Sequence, residues 1–198
     1  MPLSIIPKTT LFVKLSRLYA EMEEAYDRVA DKIGLSCQGC PDNCCVSYFQ
    51  HHTYIEWAYL WKGIRSRPDE KQQDFVNRGV EYVAQCRFIL AQGQRPRIMC
   101  PLNENGLCRL YEYRPMICRM HGVPNSFVRP DGKKMKFPGC SRCQELCSHL
   151  EDVPVVDRTA FYRELASLEM AFVAPKIKTL PRVNLTLAEM LVRGLPEI

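Results

Sequence analysis

Several kinds of segment are missing from this 198-residue sequence, and each absence excludes a class of protein. No stretch approaches the roughly twenty apolar residues that a membrane-spanning helix requires, so no membrane partner is expected. The N-terminus has no uninterrupted apolar run of the kind found in secretory signal peptides, because Pro7 and Lys8 split its apolar residues. We therefore expect a cytoplasmic protein. A glycine-rich phosphate loop, a Ser–His–Asp set and paired catalytic carboxylates are also missing, so no catalytic residue is predicted and enzymatic activity stays undecided.

A strong charge of one sign is absent as well. The net charge of +5 comes from 27 basic and 22 acidic residues, and it is spread along the chain rather than concentrated in a patch. A nucleic acid is therefore not the expected partner. The hydrophobic content of 46% is sufficient for a core, and the length suits one domain that covers residues 1–198.

Cysteine, in contrast, is abundant, and ten of the eleven cysteines fall into three clusters. These ten residues are Cys37, Cys40, Cys44 and Cys45, then Cys100, Cys108 and Cys118, then Cys140, Cys143 and Cys147. In a reducing cytoplasm, clustered thiols favour metal binding over disulfides, and an odd count fits poorly with complete internal pairing. Disulfides are the less favoured alternative, and we predict the ten clustered cysteines as metal ligands.

Apolar periodicity predicts three helices in the first half of the chain. The first covers about residues 10–33 and ends at Gly34, a suitable C-terminal cap. The second opens with a capping-box pattern formed by Thr53 and Glu56, and the third follows Pro68. Cys86 falls on the apolar stripe of that third helix, which predicts a buried and inert thiol outside the metal site. His51 and His52 precede the second helix and are predicted at the surface.

The second half of the chain combines short strands with helices. An Asn-Gly turn within residues 100–108 and an Asp-Gly turn within residues 127–137 each predict a β-hairpin. Helices are predicted near Asp157–Val173 and Thr186–Arg193. The resulting fold class is mainly α, with short β-hairpins and cysteine-rich metal-binding loops.

The spacing of the cysteines indicates how they are divided between metal centres. Cys140, Cys143 and Cys147 repeat the spacing of Cys37, Cys40 and Cys44, which predicts two comparable ligand loops. Adjacent residues such as Cys44 and Cys45 usually point in different directions. They serve one cluster only if the loop bends sharply; otherwise they serve two centres, or one of them is a free thiol.

The pattern CxxCxxxCC at residues 37–45, followed by the segment GLCRLYEYRPMICR at residues 106–119, resembles the YkgJ-type cysteine-cluster proteins, which are described as zinc- or iron-chelating. The family-like core extends over residues 37–147. The resemblance implies that the family cysteines are Cys37, Cys40, Cys44, Cys45, Cys100, Cys108, Cys118 and Cys140. One relative in that group, flagellin lysine N-methylase, carries a similar cluster motif. A cluster-dependent enzyme such as a protein methyltransferase is therefore a further alternative.

The nature of the metal is not fixed by spacing. Two Cys-Pro dipeptides, at Cys40 and Cys100, favour one or two 4Fe–4S clusters in a redox or electron-transfer role, with a redox or enzyme protein as partner. Against this, Cys37 and Cys40 together with Cys140 and Cys143 would form an ordinary structural zinc site, typical of an interaction module.

Three residues near Cys118 complete the predicted site. Arg114 and Arg119 flank this cysteine, and their positive charge would offset the negative charge of a thiolate-ligated centre. His121 is a candidate ligand or proton carrier. For each of the three, a purely structural role is the alternative.

Overall fold

A computed structural model of the protein describes residues 6–37, 44–174 and 176–198. For Cys44 it describes the backbone only. Over these residues the protein is 54% helical and has seven helices and small sheets of two and three strands. The predicted fold class, mainly α with short β elements, is therefore confirmed. Within the described residues, no helix combines the length and the apolar character needed to cross a bilayer.

Long helices dominate the first half of the described chain, and short strands and helices alternate in the second half. In the described part of the chain the helices are α1 Lys8–Ile33, α2 Tyr54–Arg65, α3 Asp69–Ala91, α4 Met116–Met120, α5 Ser141–Cys147, α6 Thr159–Val173 and α7 Leu187–Arg193. The strands there are β1 Asn103–Glu104, β2 Leu107–Cys108, β3 Asn125–Val128, β4 Lys134–Phe137 and β5 Val156–Asp157. Short 3-10 helices occupy Cys44–Val46 and Tyr111–Tyr113.

The chain divides into two compact units, and each unit combines two separate stretches of sequence. Unit 1 consists of Met1–Cys44 and Arg119–Phe172, and unit 2 consists of Cys45–Cys118 and Val173–Ile198. No composition shift or flexible linker marks this division in the sequence, because each unit joins segments that are distant along the chain.

In unit 1, the long helix α1 buries one face of its surface. Leu11, Leu15, Leu18 and Met22 are 0–1% exposed, and their three- and four-residue spacing places them on that face. Gly34 ends the helix with φ = 67°, a left-handed conformation that glycine adopts without steric cost, and this confirms the predicted cap.

A three-stranded sheet with the order β4-β3-β5 completes unit 1. Strands β3 and β4 form the antiparallel hairpin that the Asp-Gly turn predicts. Strand β5, which was not predicted, pairs in parallel with β3 through only two residues. So short a segment carries no period-2 signal of its own, and pairing with β3 is what makes it a strand.

In unit 2, helices α2, α3 and α7 form the core. Gly79 of α3 lies against Leu191 of α7, where an added Cβ would be 3.3 Å from the leucine side chain. The indole N–H groups of Trp57 and Trp61 in α2 both donate to the carbonyl of Met190, at 3.1 and 2.9 Å. Tryptophan rings thus satisfy a carbonyl of the short helix α7 while their apolar faces are removed from water.

The predicted turn signals of unit 2 are present. The β1–β2 hairpin turns through Asn105 (φ = 53°) and Gly106 (φ = 83°), as an Asn-Gly turn between paired strands requires. Helix α7 begins with the predicted capping box, in which Thr186 Oγ1 accepts from the Glu189 N–H and Glu189 Oε2 accepts from the Thr186 N–H.

Two predictions about single residues in unit 2 have different outcomes. Cys86 is 5% exposed and packs with Tyr82 and Ala188, so the predicted burial on the α3 stripe is confirmed. The predicted surface position of His51 is wrong, because this residue is 2% exposed. Its backbone pairs in both directions with Leu185, and that bridge draws the ring into the core.

Candidate metal centres in the two units

Four cysteines of unit 2 lie near one another, although they come from separate segments of its chain. This central cysteine group consists of Cys45, Cys100, Cys108 and Cys118. The Cys100 N–H donates to the Cys45 carbonyl at 2.9 Å. Negative charge on Cys45, Cys108 or Cys118 raises the pKa of Cys100, so all four thiols belong to one electrostatic neighbourhood.

Two thiols of the central cysteine group, Cys100 and Cys118, have raised pKa values, which favours their protonated form in the absence of a cation. Burial raises the pKa of Cys100 well above its ordinary range. Burial and the charges of neighbouring cysteines together raise the pKa of Cys118 to about 12, although the Arg114 guanidinium opposes them. A metal bound by these sulfurs would have to displace their protons, and its positive charge would then favour the thiolates.

A buried carboxylate positions the helix that carries Cys118. Glu56 of α2 is 4% exposed, and its two oxygens accept from the Thr53 hydroxyl and from the Met116 N–H, each at 2.7 Å. Met116 begins α4, where backbone N–H groups lack partners within the helix. The predicted capping box is therefore only half right. Helix α2 begins after Thr53, but no side chain caps its backbone, and Glu56 caps α4 instead.

A second carboxylate anchors the hairpin that carries Cys108. Glu104 of β1 pairs with Lys71 at 2.5 Å, with Arg78 at 2.9 Å and with Arg109 at 2.6 Å. These cations lower the pKa of Glu104 to about 2. Because β1 and β2 are two residues each, the ion pairs supply a constraint that such short strands lack.

Unit 1 contains a different arrangement, the α5 cysteine group, which consists of Cys140, Cys143 and Cys147. Cys140 immediately precedes α5, and the other two lie one helical turn apart on it, with their sulfurs 3.9 Å from each other. The predicted loop is wrong for Cys143 and Cys147, because both lie on a helix. Their role as metal ligands stays a prediction. Four-residue spacing in a helix places both thiols on the same face.

Close packing around two glycines fixes the α5 cysteine group. Gly139 has φ = 86°, and a Cβ there would lie 2.7 Å from the Gly122 carbonyl oxygen and 2.9 Å from Cys143 Sγ. The Cys140 N–H donates to that same Gly122 carbonyl at 3.1 Å. Only glycine fits at position 139, because both its conformation and its surroundings exclude a side chain. Burial of Cys143 and the nearby charges of Cys147 and Cys140 raise the pKa of Cys143.

The same packing extends to the first cysteine of the chain. The Tyr26 hydroxyl of α1 lies against Gly122, in space that a Cβ on this glycine would occupy, and it is 3.7 Å from Cys37 Sγ. Cys37 is exposed. Cys40 and the side chain of Cys44, both predicted ligands, lie outside the described residues.

The three residues predicted beside the metal, Arg114, Arg119 and His121, contact different parts of the protein. Arg114 lies over the Tyr111 ring with 3.6 Å between guanidinium carbon and ring centroid, and its charge acts on Cys118. Arg119 is 5% exposed, lies 4.1 Å from the centroid of the Tyr19 ring and is 4.0 Å from a carboxylate oxygen of Glu23 on α1. His121 is half-buried in the turn after α4.

The residues that position the two cysteine groups could not be recognised from the sequence. Gly139 stands in a Pro-Gly-Cys sequence, a turn signal that marks its backbone requirement. Glu104 and its cations carry no sequence signal beyond their charges. The bond from Met116 to Glu56 spans 60 residues, which local patterns do not reveal.

Across the part of the chain that the structure describes, no three Cys, His, Asp or Glu side chains are grouped so that they could already hold a metal ion. The two cysteine groups are therefore sets of neighbouring thiols rather than formed ligand shells. Comparisons with protein-family models, with curated proteins and with solved structures find no match to this chain. The similarity to YkgJ-type proteins thus stays a prediction from the cysteine pattern.

Proposed function

We propose that the chain is a metal-binding protein that holds cysteine-ligated iron–sulfur clusters of the 4Fe–4S type and acts in cytoplasmic redox or electron transfer. The observation that carries this proposal is the central cysteine group, which assembles four thiols from the segments around residues 45, 100–108 and 118. Four cysteine thiolates are the ligand set of a 4Fe–4S cluster. A redox protein or an enzyme that needs electrons is the matching partner.

The chemistry of the donor set fits such a group. Thiols as strongly desolvated as Cys100 and Cys118 gain from a cationic centre that removes their protons and satisfies their charge. Arg114 would compensate the remaining negative charge of the ligated centre. A bound cluster supplies one-electron transfer, and the residues of this chain hold it, limit its exposure and set its electrostatic surroundings.

We propose the α5 cysteine group as part of a second centre. Cys140, Cys143 and Cys147 provide three thiols on a rigid framework, and the pair 3.9 Å apart is already close to the separation of two sulfurs on one metal. A fourth ligand would come from the first cysteine segment, for which Cys37, Cys40 and Cys44 are the candidates.

A zinc-stabilised interaction module is the second candidate. It is favoured by the number of thiols in the central cysteine group, because four thiolates complete the tetrahedral shell of a structural zinc ion. In that case the metal would hold the β1–β2 hairpin and α4 together and would take no part in electron transfer.

Metal analysis of anaerobically purified protein separates the two candidates. We expect visible charge-transfer absorption, iron and acid-labile sulfide in equal amounts, and loss of colour on reduction. Colourless protein with stoichiometric zinc and no sulfide would overturn the iron–sulfur proposal and support the interaction module.

Three matched variants test where the metal is bound. Cys118→Ala should lose the metal of the central cysteine group, and Cys147→Ala should lose only that of the second centre, so each variant retains about half of the metal. Cys86→Ala is the control, because it removes a buried thiol of unit 2 that packs with Tyr82 and Ala188. Full metal content in Cys118→Ala, or loss of metal in Cys86→Ala, would contradict the assignment.

A further inference from the structure

Unit 1 contains a cavity that the proposed metal centres do not explain. Its volume is about 610 Å³, and it lies between the β3–β4 hairpin, α5 and the segment that leads into β5. Much of its wall is apolar and comes from Pro124, Phe137, Pro138, Val153 and Val155. Cavities that bind small molecules have about this volume and this character.

The charged residues of the cavity wall favour an anion. Lys134 and Lys136 of β4 are two residues apart and therefore point to the same side of the hairpin. Asp157 is the one acidic residue of the lining, and its Oδ1 accepts from the Thr159 N–H at 2.9 Å and from the Thr159 hydroxyl at 2.5 Å. The bonds from Thr159 lower the pKa of Asp157, and the charge of Lys134 lowers it as well.

Neither lysine of the lining forms an ion pair among the described residues. Lys136 lies opposite Ser126 in the β3–β4 register. The lining thus carries two lysine charges against one carboxylate, a surplus of one positive charge.

A buried cation behind the wall adds to the positive potential. Arg158 is 6% exposed, and its guanidinium carbon lies 4.5, 5.1 and 5.2 Å from the ring centroids of Phe137, Tyr162 and Phe127. Within the described part of unit 1 it has no acidic partner. Phe137 is thus a residue of the cavity wall whose ring also contacts a cation.

We infer that this cavity binds a monocarboxylate with an apolar chain or ring, whose carboxylate pairs with Lys136 and whose apolar body lies against Val153 and Val155. One surplus lysine charge matches one negative charge, and the apolar wall excludes water from the rest of the ligand. Cys147 also lines the cavity, so the bound molecule covers one side of the α5 cysteine group. Binding itself uses no cysteine, and the inference is independent of the metal that the chain holds.

The test uses octanoate as the probe and octylammonium as its counterpart of opposite charge, with the protein as purified. Titration calorimetry should show octanoate binding at least tenfold more tightly than octylammonium. Amide NMR spectra should show octanoate-dependent shifts at Lys136, Gln144 and Val155, which line the cavity. Lys136→Gln should weaken octanoate binding roughly tenfold, because a charge-assisted hydrogen bond is lost.

Lys133→Gln is the matched control, because Lys133 lies in the turn beside β4, outside the lining, and its loss changes the net charge equally. It should change octanoate affinity by less than twofold. Equal affinity for the two probes, an equal effect of the two lysine variants, or shifts outside the cavity would each overturn the inference. A Lys136→Gln protein that fails to fold is replaced by Lys136→Arg, which should retain binding.

Discussion

The two cysteine groups bring their thiols together in different ways. In unit 2, the central cysteine group is assembled from segments that are distant in sequence, and remote carboxylates such as Glu56 hold those segments in place. In unit 1, the α5 cysteine group is local, because helical spacing brings Cys143 and Cys147 together and a close-packed glycine sets the entry to the helix. An assembled group should be sensitive to distant substitutions, whereas a local group should be sensitive to its immediate backbone.

The largest effect is expected from Glu56→Ala. This change removes two short bonds to a buried carboxylate and leaves the Met116 N–H without its partner. At about 2 kcal/mol for each bond to a charged group, the free energy of unfolding should fall by about 4 kcal/mol. Urea denaturation of the purified variant measures this loss.

Glu70→Ala is the control for that measurement, because Glu70 is an exposed residue in the first turn of α3. Its cost should stay below about 1 kcal/mol. If the two alanine variants were equally stable, the role of Glu56 in placing α4 would be refuted.

Gly139→Ala should give the next largest effect, and it acts on the α5 cysteine group. The positive φ costs an alanine about 1 kcal/mol, and the short approaches to Gly122 and Cys143 add about 2 kcal/mol of overpacking. We expect a total loss of about 3 kcal/mol in denaturant unfolding, together with altered metal content at this group.

Gly132→Ala separates the two causes. Gly132 also has a positive φ, 79°, but a Cβ there meets no atom within 4 Å. This variant should lose only about 1 kcal/mol. A loss for Gly139→Ala no larger than that of Gly132→Ala would show that packing against the cysteine helix is unimportant.

Acid should weaken unit 2 through His51. Burial lowers the pKa of His51 from 6.5 to about 3, so the unfolded chain takes up a proton below pH 6.5 while the folded protein does not. The stability is therefore present at neutral pH and is lost as the pH falls from 6.5 towards 3. Between pH 8 and pH 5 the free energy of unfolding should drop by about 2 kcal/mol from this residue.

The variant His51→Gln should flatten that pH dependence by about the same amount, whereas His149→Gln, at an exposed position of unit 1, should leave it unchanged. Asp157 does not mask the effect, because its pKa is lowered from 3.8 and it titrates below this window. An unaltered pH profile in His51→Gln would exclude His51 as the cause.

The smallest effect is expected from Glu104→Gln. Its partners Lys71 and Arg109 are 40% and 47% exposed, so solvent screens the ion pairs and the loss should be about 1 kcal/mol. The variant should melt at a lower temperature than Glu81→Gln, an exposed position on α3. Equal melting temperatures would mean that the β1–β2 hairpin does not need this anchor.

Local patterns in the sequence account for most of the fold. Apolar spacing predicted α1, α2 and α3, and the turn residues Asn105 and Gly106 predicted the first hairpin, because these signals act over a few residues. They also predicted the long α6 and the capping box of α7. Local signals did not predict β5, since its two residues become a strand only by pairing with β3.

The candidate sites were predicted in residue type but not in arrangement. Cysteine spacing identified the thiols, yet it placed Cys143 and Cys147 on a loop where the structure has a helix. Nor did it distinguish Cys45, which joins the central cysteine group, from Cys37, which lies beside Tyr26 in unit 1. Glu56 matched a local capping pattern, but its second bond joins a residue 60 positions away. Such partners are set by tertiary packing, which a single sequence does not encode in its spacing.

Both tryptophans of the chain, Trp57 and Trp61, are held against the Met190 carbonyl in unit 2. Intrinsic tryptophan fluorescence consequently reports on the unfolding of unit 2 and does not report on unit 1. Thermal unfolding followed by tryptophan fluorescence would detect the stability changes of Glu56→Ala and His51→Gln. It would not detect a local loss of packing around Gly139. A third tryptophan placed in α6 by Phe161→Trp would let the same fluorescence measurement report on unit 1.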